Sequence, residues 1–252
     1  MLKYVIALIS VALAVWTVPD TFTFLTSWLS GSLESDRLLS QDELSLYTGT
    51  QNSKGLYLAI LGQVFNVEKG RRHYGPGRSY HSFAGRDASK AFVTGDFTEE
   101  GLTDDVSDLS PSQIVALYDW LAFYQKDYTP VGRLIGRFYS DSGKPTDALL
   151  QVEVALAQGL KQKAQVEKEN ELYPACNSEW SSAAGKRVWC STKSGGVHRE
   201  WAGVPRMLFK PGVGHTRCVC VRVDDHTHSS NPNLQQYKDC PPHSESCFLG
   251  HE

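Results

Sequence analysis

The stretch LYLAILGQVFNVEKGRRHYGPGRSYHSFAGRDASKAF, Leu56 to Phe92, carries two patterns in succession. Its first part alternates apolar positions around Leu61-Gly62, which predicts two strands joined by a turn. Its second part, Gly70 to Phe92, interleaves four glycines and four arginines with Tyr74, Tyr80, Phe83 and Phe92. Glycine accepts positive φ and close backbone approach, and Pro76 between Gly75 and Gly77 fixes a tight turn. This is a loop shaped to sit around something flat. Asp87 is placed to cap a helix beginning near Ala88.

Upstream, LLSQDELSLYTG holds an S-x-x-E capping box, Ser40 and Glu43, before a short helix carrying Leu44 and Tyr47 and stopped at Gly49. Downstream, in LSPSQIVALYDWLAFYQKDY, Ser110 is an N-cap, Pro111 takes the first helical position and Gln113 completes a second box. Ile114, Leu117, Tyr118 and Leu121 form one apolar face of that helix, and VGRLIGRFY closes the segment as a strand. The pattern is α+β, long enough for one small core.

The chain of 252 residues carries a net charge of −3, which argues against a general nucleic-acid binder. At the N-terminus one lysine precedes an uncharged apolar run from Tyr4 to Val18, ended by Pro19 and Asp20. That is a signal-peptide pattern over residues 1–30, with cleavage expected near Ser30 to Ser32. An uncleaved anchor with the remainder lumenal or extracellular is the alternative. All six cysteines, Cys176, Cys190, Cys218, Cys220, Cys240 and Cys247, fall in the last third, as in a disulfide framework of an oxidising compartment. Fifteen pairings are open. In TRCVCVRV the alternation predicts a strand with Cys218 and Cys220 on one face, each seeking a partner elsewhere. A zinc site using these thiolates with His198, His215, His226, His228 or His243 is the rival reading, without a C-x-x-C or H-x-x-x-H spacing to favour it. The divisions are thus a leader, a segment over 36–139, a helical connector over 140–172 and a cysteine-rich segment over 173–252. Leu149, Val152, Leu156 and Leu160 form the connector's apolar stripe.

YGPG, FAGRDASK and VGRLIGRFY, in that order, give 36–139 a close resemblance to the membrane-associated progesterone receptor family, a branch of the cytochrome b5-like haem domains. The resemblance implies a cytochrome b5-like fold that binds ferric haem b. Ordinary cytochrome b5 holds iron between two histidines, the first in an H-P-G-G turn; here Tyr74-Gly75-Pro76-Gly77 occupies that turn and no histidine lies between His81 and His198. The family implies Tyr80 as the iron ligand, with Tyr74 supporting it by a hydrogen bond. It also implies a lysine-tyrosine pair before the VG dipeptide: Tyr128 matches the tyrosine, while Asp127 stands in the lysine's place with Lys126 adjacent.

A phenolate is a hard anionic ligand suited to ferric iron. Arg71, Arg72 or Arg78 would favour the ionised form or pair with haem propionates, although each also reads as a solvated surface charge. Tyr80 read alone is equally a core aromatic with a bonded hydroxyl. His81 is the second choice as ligand, pointing away from Tyr80 if the stretch is extended. Phe65, Phe83 and Phe92 are pocket wall or core.

No catalytic triad, phosphate loop or carboxylate pair supports an enzyme. With its leader and tail, the resemblance implies a secreted, non-enzymatic haem protein acting in neuronal differentiation, with an extracellular or membrane partner and haem-mediated self-association as further expectations. The alternatives are a b5-like electron carrier and a steroid-binding or structural module without haem.

Overall fold

The computed structural model describes residues 37–183, 185–209, 216–223, 231–238 and 240–249. The expected signal peptide or anchor at 1–30 lies outside them. No helix among the described residues is long and apolar enough to cross a membrane. The chain forms two compact units, the first ending at Gly159 and the second beginning at Leu160.

The first unit is built on a four-stranded sheet of β1 (Leu38–Leu39), β2 (Tyr57–Ile60), β3 (Gln63–Asn66) and β4 (Thr129–Leu134), in the order β1-β4-β3-β2. β1 runs parallel to β4 and the other neighbours are antiparallel. The hairpin turns on Leu61-Gly62, both at positive φ (49° and 72°), the conformation a two-residue turn requires. Leu58, Ile60 and Phe65 point into the main core, which Ile114, Leu117, Leu121 and Tyr124 complete. Those last four come from α4 (Pro111–Asp127), whose Ser110–Gln113 capping box forms in full with Pro111 in the first turn.

Among the described residues three short α-helices precede α4, and two local expectations need correcting. α1 (Gln41–Leu44) is one turn, with Ser45 as its C-cap, so it ends before Tyr47 and Gly49. Ser40 Oγ accepts from Glu43 N at 3.1 Å, but the Glu43 carboxylate turns to Arg37, and only half the box forms. α2 (Arg71–Tyr74) opens the glycine-rich loop. α3 (Ala91–Thr94) has Lys90, not Asp87, at its N-cap. Asp87 is buried instead: Oδ2 accepts from Gly62 N at 2.7 Å, and Oδ1 accepts from Ser89 N at 3.0 Å and Ser89 Oγ at 2.6 Å. It keeps the local bond to Ser89 and with its other oxygen ties the hairpin turn to the segment after the loop, while the helix itself starts later, at Ala91.

The connector is the helix α5 (Asp147–Leu172). Leu149 and Val152 are buried in the main core, with Ala155 and Leu156 packed against it. At Gly159 a Cβ would stand 2.3 Å from the Pro111 carbonyl oxygen. The first half of α5 therefore belongs to the first unit, and the division between units falls inside the helix.

The second unit contains two antiparallel sheets. β5 (Asn177–Ser181), β6 (Gly185–Trp189) and β10 (Ser246–Leu249) pair as β10-β6-β5; β7 (Val204–Phe209), β8 (Thr216–Val221) and β9 (Leu234–Gln235) pair as β8-β7-β9. Cys218 and Cys220 lie on β8 as expected, bonded to Cys176 and Cys190, and Cys240 bonds Cys247. These bonds use all six sulfurs, which answers the zinc alternative.

Candidate functional site

The glycine-rich loop takes its shape from main-chain bonds. Arg78 N donates to the Gly75 carbonyl at 3.1 Å, closing a turn with Pro76 and Gly77 at its centre and Gly77 at φ +73°. Gly75 serves differently from the expectation: its φ is −68°, and glycine is needed because a Cβ would lie 2.6 Å from the Arg71 carbonyl oxygen. Tyr80 follows the turn. Its N–H donates to the His73 carbonyl at 3.1 Å, and its own carbonyl accepts from Phe83 N at 3.2 Å, so its backbone is pinned on both sides.

The Tyr80 side chain is 45% exposed and its hydroxyl makes no hydrogen bond among the described residues. It is therefore not a core aromatic. Its ring leans on Tyr74, Phe83 and Phe97 at centroid distances of 6.2, 6.2 and 6.3 Å. From there ring contacts run through Phe92 and the buried Tyr124 to Phe123 and Tyr128, Tyr124 stacking on Tyr128 at 5.0 Å. Phe65 and Phe83 are buried in the core, while Phe92 is half-buried at the surface's edge. Trp120 and Phe123 on α4 extend the exposed rings.

Tyr74 hydrogen-bonds Tyr124 through their hydroxyls, not Tyr80. Burial pushes the Tyr74 phenol up to about 12, offset in part by the hydrogen bond from Tyr124, and holds Tyr124 far above the ordinary phenol value. Both stay neutral at physiological pH. Two neutral hydroxyls carry two protons and their mutual bond uses one, so the pair keeps a donor for a nearby anionic oxygen. Sequence reading missed Tyr124. Its signal was present, since it lies three residues beyond Leu121 on the apolar face of the helix.

The cation beside Tyr128 is Lys69, with Nζ 5.0 Å from the ring centroid, whereas Lys126 is exposed on α4. Lys69 was not anticipated, because it reaches the ring from before the loop rather than from the helix. Gly70 allows that approach: a Cβ there would meet the Tyr128 hydroxyl at 2.7 Å. Arg71 is committed to Glu68 and to the Gly49 carbonyl, and Arg72 donates to His73 Nε2 at 2.9 Å. Arg78 is exposed and forms no ion pair among the described residues.

His81 begins a turn of 3-10 helix rather than a strand, and its Nδ1 lies 3.0 Å from the Tyr74 carbonyl. A carbonyl only accepts, so Nδ1 carries the proton and Nε2 is the ring's free electron pair. With His73 held by Arg72, the first unit offers no pair of free histidines.

The residues fit a haem on three counts: an accessible oxygen donor without a protein partner among the described residues, apolar rings beside it, and a cation, Lys69, over the Tyr128 ring, with exposed Arg78 two residues before Tyr80 in the chain. A separate concavity of about 430 Å³, lined by Asp42, Arg86, Asp87 and Asp104 among others, shares none of these residues.

Residues 40–135 match the cytochrome b5-like heme/steroid binding domain family. The chain is 64% identical to neuferricin of Danio rerio over 99% of both chains, and 52% identical to neuferricin of Homo sapiens over 84% of this chain and 85% of that one. It is 42% identical to membrane-associated progesterone-binding protein 4 of Arabidopsis thaliana, over 84% of this chain and 83% of the other. Likeness of this extent takes in the tyrosine site and the cysteine-rich unit together: the chain belongs to the neuferricin family and carries a cytochrome b5-like haem/steroid-binding domain as its first unit.

Proposed function

We propose that the chain is an exported, non-enzymatic haem-binding protein that acts outside the cell in neuronal differentiation. The observation that supports this most is the free, exposed Tyr80 hydroxyl set among aromatic rings. Ferric haem b bound there supplies a Lewis-acidic iron. Tyr80 would hold the iron through its oxygen, and the neutral Tyr74–Tyr124 pair would have a proton to offer toward that oxygen. Phe92 and Phe97 would offer the haem apolar contact, with Phe83 packed behind them, and Lys69 and Arg78 would supply positive charge for its carboxylates. The electron-carrier reading is weaker, because an anionic oxygen ligand favours ferric iron.

Titration of the recombinant full chain with ferric haem tests the binding: saturation at one equivalent with an oxygen-ligated high-spin spectrum supports it, and absence of saturable binding refutes it. Export is supported by the apolar run ended at Pro19. Recovery of the chain from culture medium, beginning beyond Val18, is the expected result; retention in carbonate-washed membranes would establish the anchor. Loaded chain added to neuronal precursors should raise the fraction bearing neurites, and Tyr80→Phe should not.

A further inference from the structure

β9 pairs with Met207 and Leu208 of β7 and stops there. Beside the first half of β7 the second unit has a cavity of about 330 Å³. Its apolar wall is formed by Val204, Val221 and Leu234. Val204 and Val221 face each other across β7 and β8 and are buried, and Leu234 is half-buried on β9. Arg206, Arg222 and His243 also line it, and among the described residues no Asp or Glu does.

Arg206 stands two residues from Val204, on the same face of the extended strand. Its Nη1 donates to the Pro205 carbonyl at 2.9 Å and its Nη2 to the Pro242 carbonyl at 2.7 Å, so the guanidinium is held from two sides. A guanidinium has five N–H donors, and the other three have no partner among the described residues. Both acceptors are neutral. Arg187 and Arg217 of the same unit pair with Glu179 and Glu169, whereas Arg206 forms no ion pair among the described residues. Burial holds its pKa below the ordinary value, as for a charge partly withdrawn from water without a counter-charge. A planar carboxylate matches the fork and supplies that charge.

The apolar wall decides which anion fits. Inorganic phosphate leaves Val204, Val221 and Leu234 wet, whereas an apolar group attached to the charged end removes their surface from water. The volume lies at the lower end of the range of about 300–1,000 Å³ for small-molecule sites, which suits one ring or a short chain. We propose that the second unit binds a small monocarboxylate with an apolar body in this cavity, Arg206 holding the carboxylate and Val204, Val221 and Leu234 covering the body. Arg222, lining the same cavity, adds positive charge for the anionic end.

Calorimetric titration of the full chain with phenylacetate, its neutral amide phenylacetamide and inorganic phosphate tests this. The expected result is saturation by phenylacetate at one equivalent, with the amide and phosphate each weaker by about tenfold or more. Arg206→Gln should lower the phenylacetate affinity by a similar factor. No saturable binding of phenylacetate, an amide or phosphate that binds as tightly, or an unchanged affinity in Arg206→Gln would each overturn the proposal. If Arg206→Gln loses its native far-UV spectrum, photolabelling of the unaltered chain with a benzophenone carboxylate, with and without phenylacetate as competitor, decides. Competed label on the peptides of Val204, Val221 or Leu234 supports the site, and competed label only elsewhere overturns it.

Discussion

Replacing Tyr124 by Phe removes one oxygen from the centre of the first unit and leaves the ring packing in place. Tyr124 is 1% exposed and Tyr74 7%, so the Tyr74 hydroxyl loses its partner where water reaches it poorly. A neutral hydrogen bond contributes about 1 kcal/mol net, and an orphaned buried hydroxyl costs about 1–3 kcal/mol. Tyr124→Phe should therefore destabilise the first unit by about 2 kcal/mol. Tyr74→Phe/Tyr124→Phe removes both hydroxyls and leaves no orphan, so it should cost less than the sum of the single changes, with a coupling of about 1 kcal/mol. Hydrogen exchange in increasing urea, read on peptides from β2 to β4 of the full chain, reports that unit's stability without interference from the second. Single variants within about 0.5 kcal/mol of the unaltered chain, or strictly additive effects, would refute the reasoning.

Three further outcomes follow from the same geometry. Gly75→Ala should destabilise more than Gly77→Ala, because a Cβ at Gly75 strikes the Arg71 carbonyl while at Gly77 it meets open space and carries only the positive-φ penalty of about 1 kcal/mol; urea midpoints in the reverse order would contradict it. Burial pushes the Asp87 carboxyl up to about 6, against hydrogen bonds from Ser89 and Gly62. Its folded value lies above its unfolded one, so the penalty for ionising it is present above about pH 6 and gone below about pH 4, a gain of about 3 kcal/mol on acidification. Glu68, Asp96 and Asp105, held low by hydrogen bonds from Arg71, Thr98 and Ser107, slope the other way in any variant. The difference between unaltered chain and Asp87→Asn in urea midpoint against pH isolates Asp87, and parallel curves would refute the assignment. Finally, Lys69→Met should weaken haem binding in a spectral titration while Lys126→Met leaves it unchanged, since only Lys69 reaches the Tyr128 ring; the opposite ranking would restore the helix lysine.

Local chemistry made much of the first unit legible. The Leu61-Gly62 hairpin and the Ser110-Pro111-Gln113 helix start are decided within a few residues, and the chain folds there as those residues dictate. Asp87 and Glu43 mislead for the opposite reason. Asp87 adds a partner distant in sequence, Gly62, to its local bond to Ser89, and Glu43 gives up its local bond for a charged partner, Arg37. Gly75 reads from sequence as a conformational glycine, but the obstacle is a neighbouring carbonyl, visible only once α2 is folded. The tyrosine cluster was half legible: Tyr74, Tyr80 and Tyr128 stand out by resemblance, whereas Tyr124 and Lys69 enter only because α4 and the approach through Gly70 bring them to the same rings. The cysteine pairing was out of reach, since spacing alone cannot choose among β-strand neighbours that are set by register.

The central claim is that Tyr80 supplies the iron ligand of a haem held on this aromatic surface. The ferric absorption spectrum and haem affinity of the full chain, of Tyr80→Phe and of His81→Ala, measured side by side, test it most directly. Tyr80→Phe keeps the ring and removes only the oxygen, so it should abolish the high-spin, oxygen-ligated spectrum and lower the affinity, while His81→Ala keeps the spectrum of the unaltered chain. An unchanged spectrum and affinity in Tyr80→Phe, with both lost in His81→Ala, would place the iron on the free Nε2 of His81 and reduce Tyr80 to part of the wall.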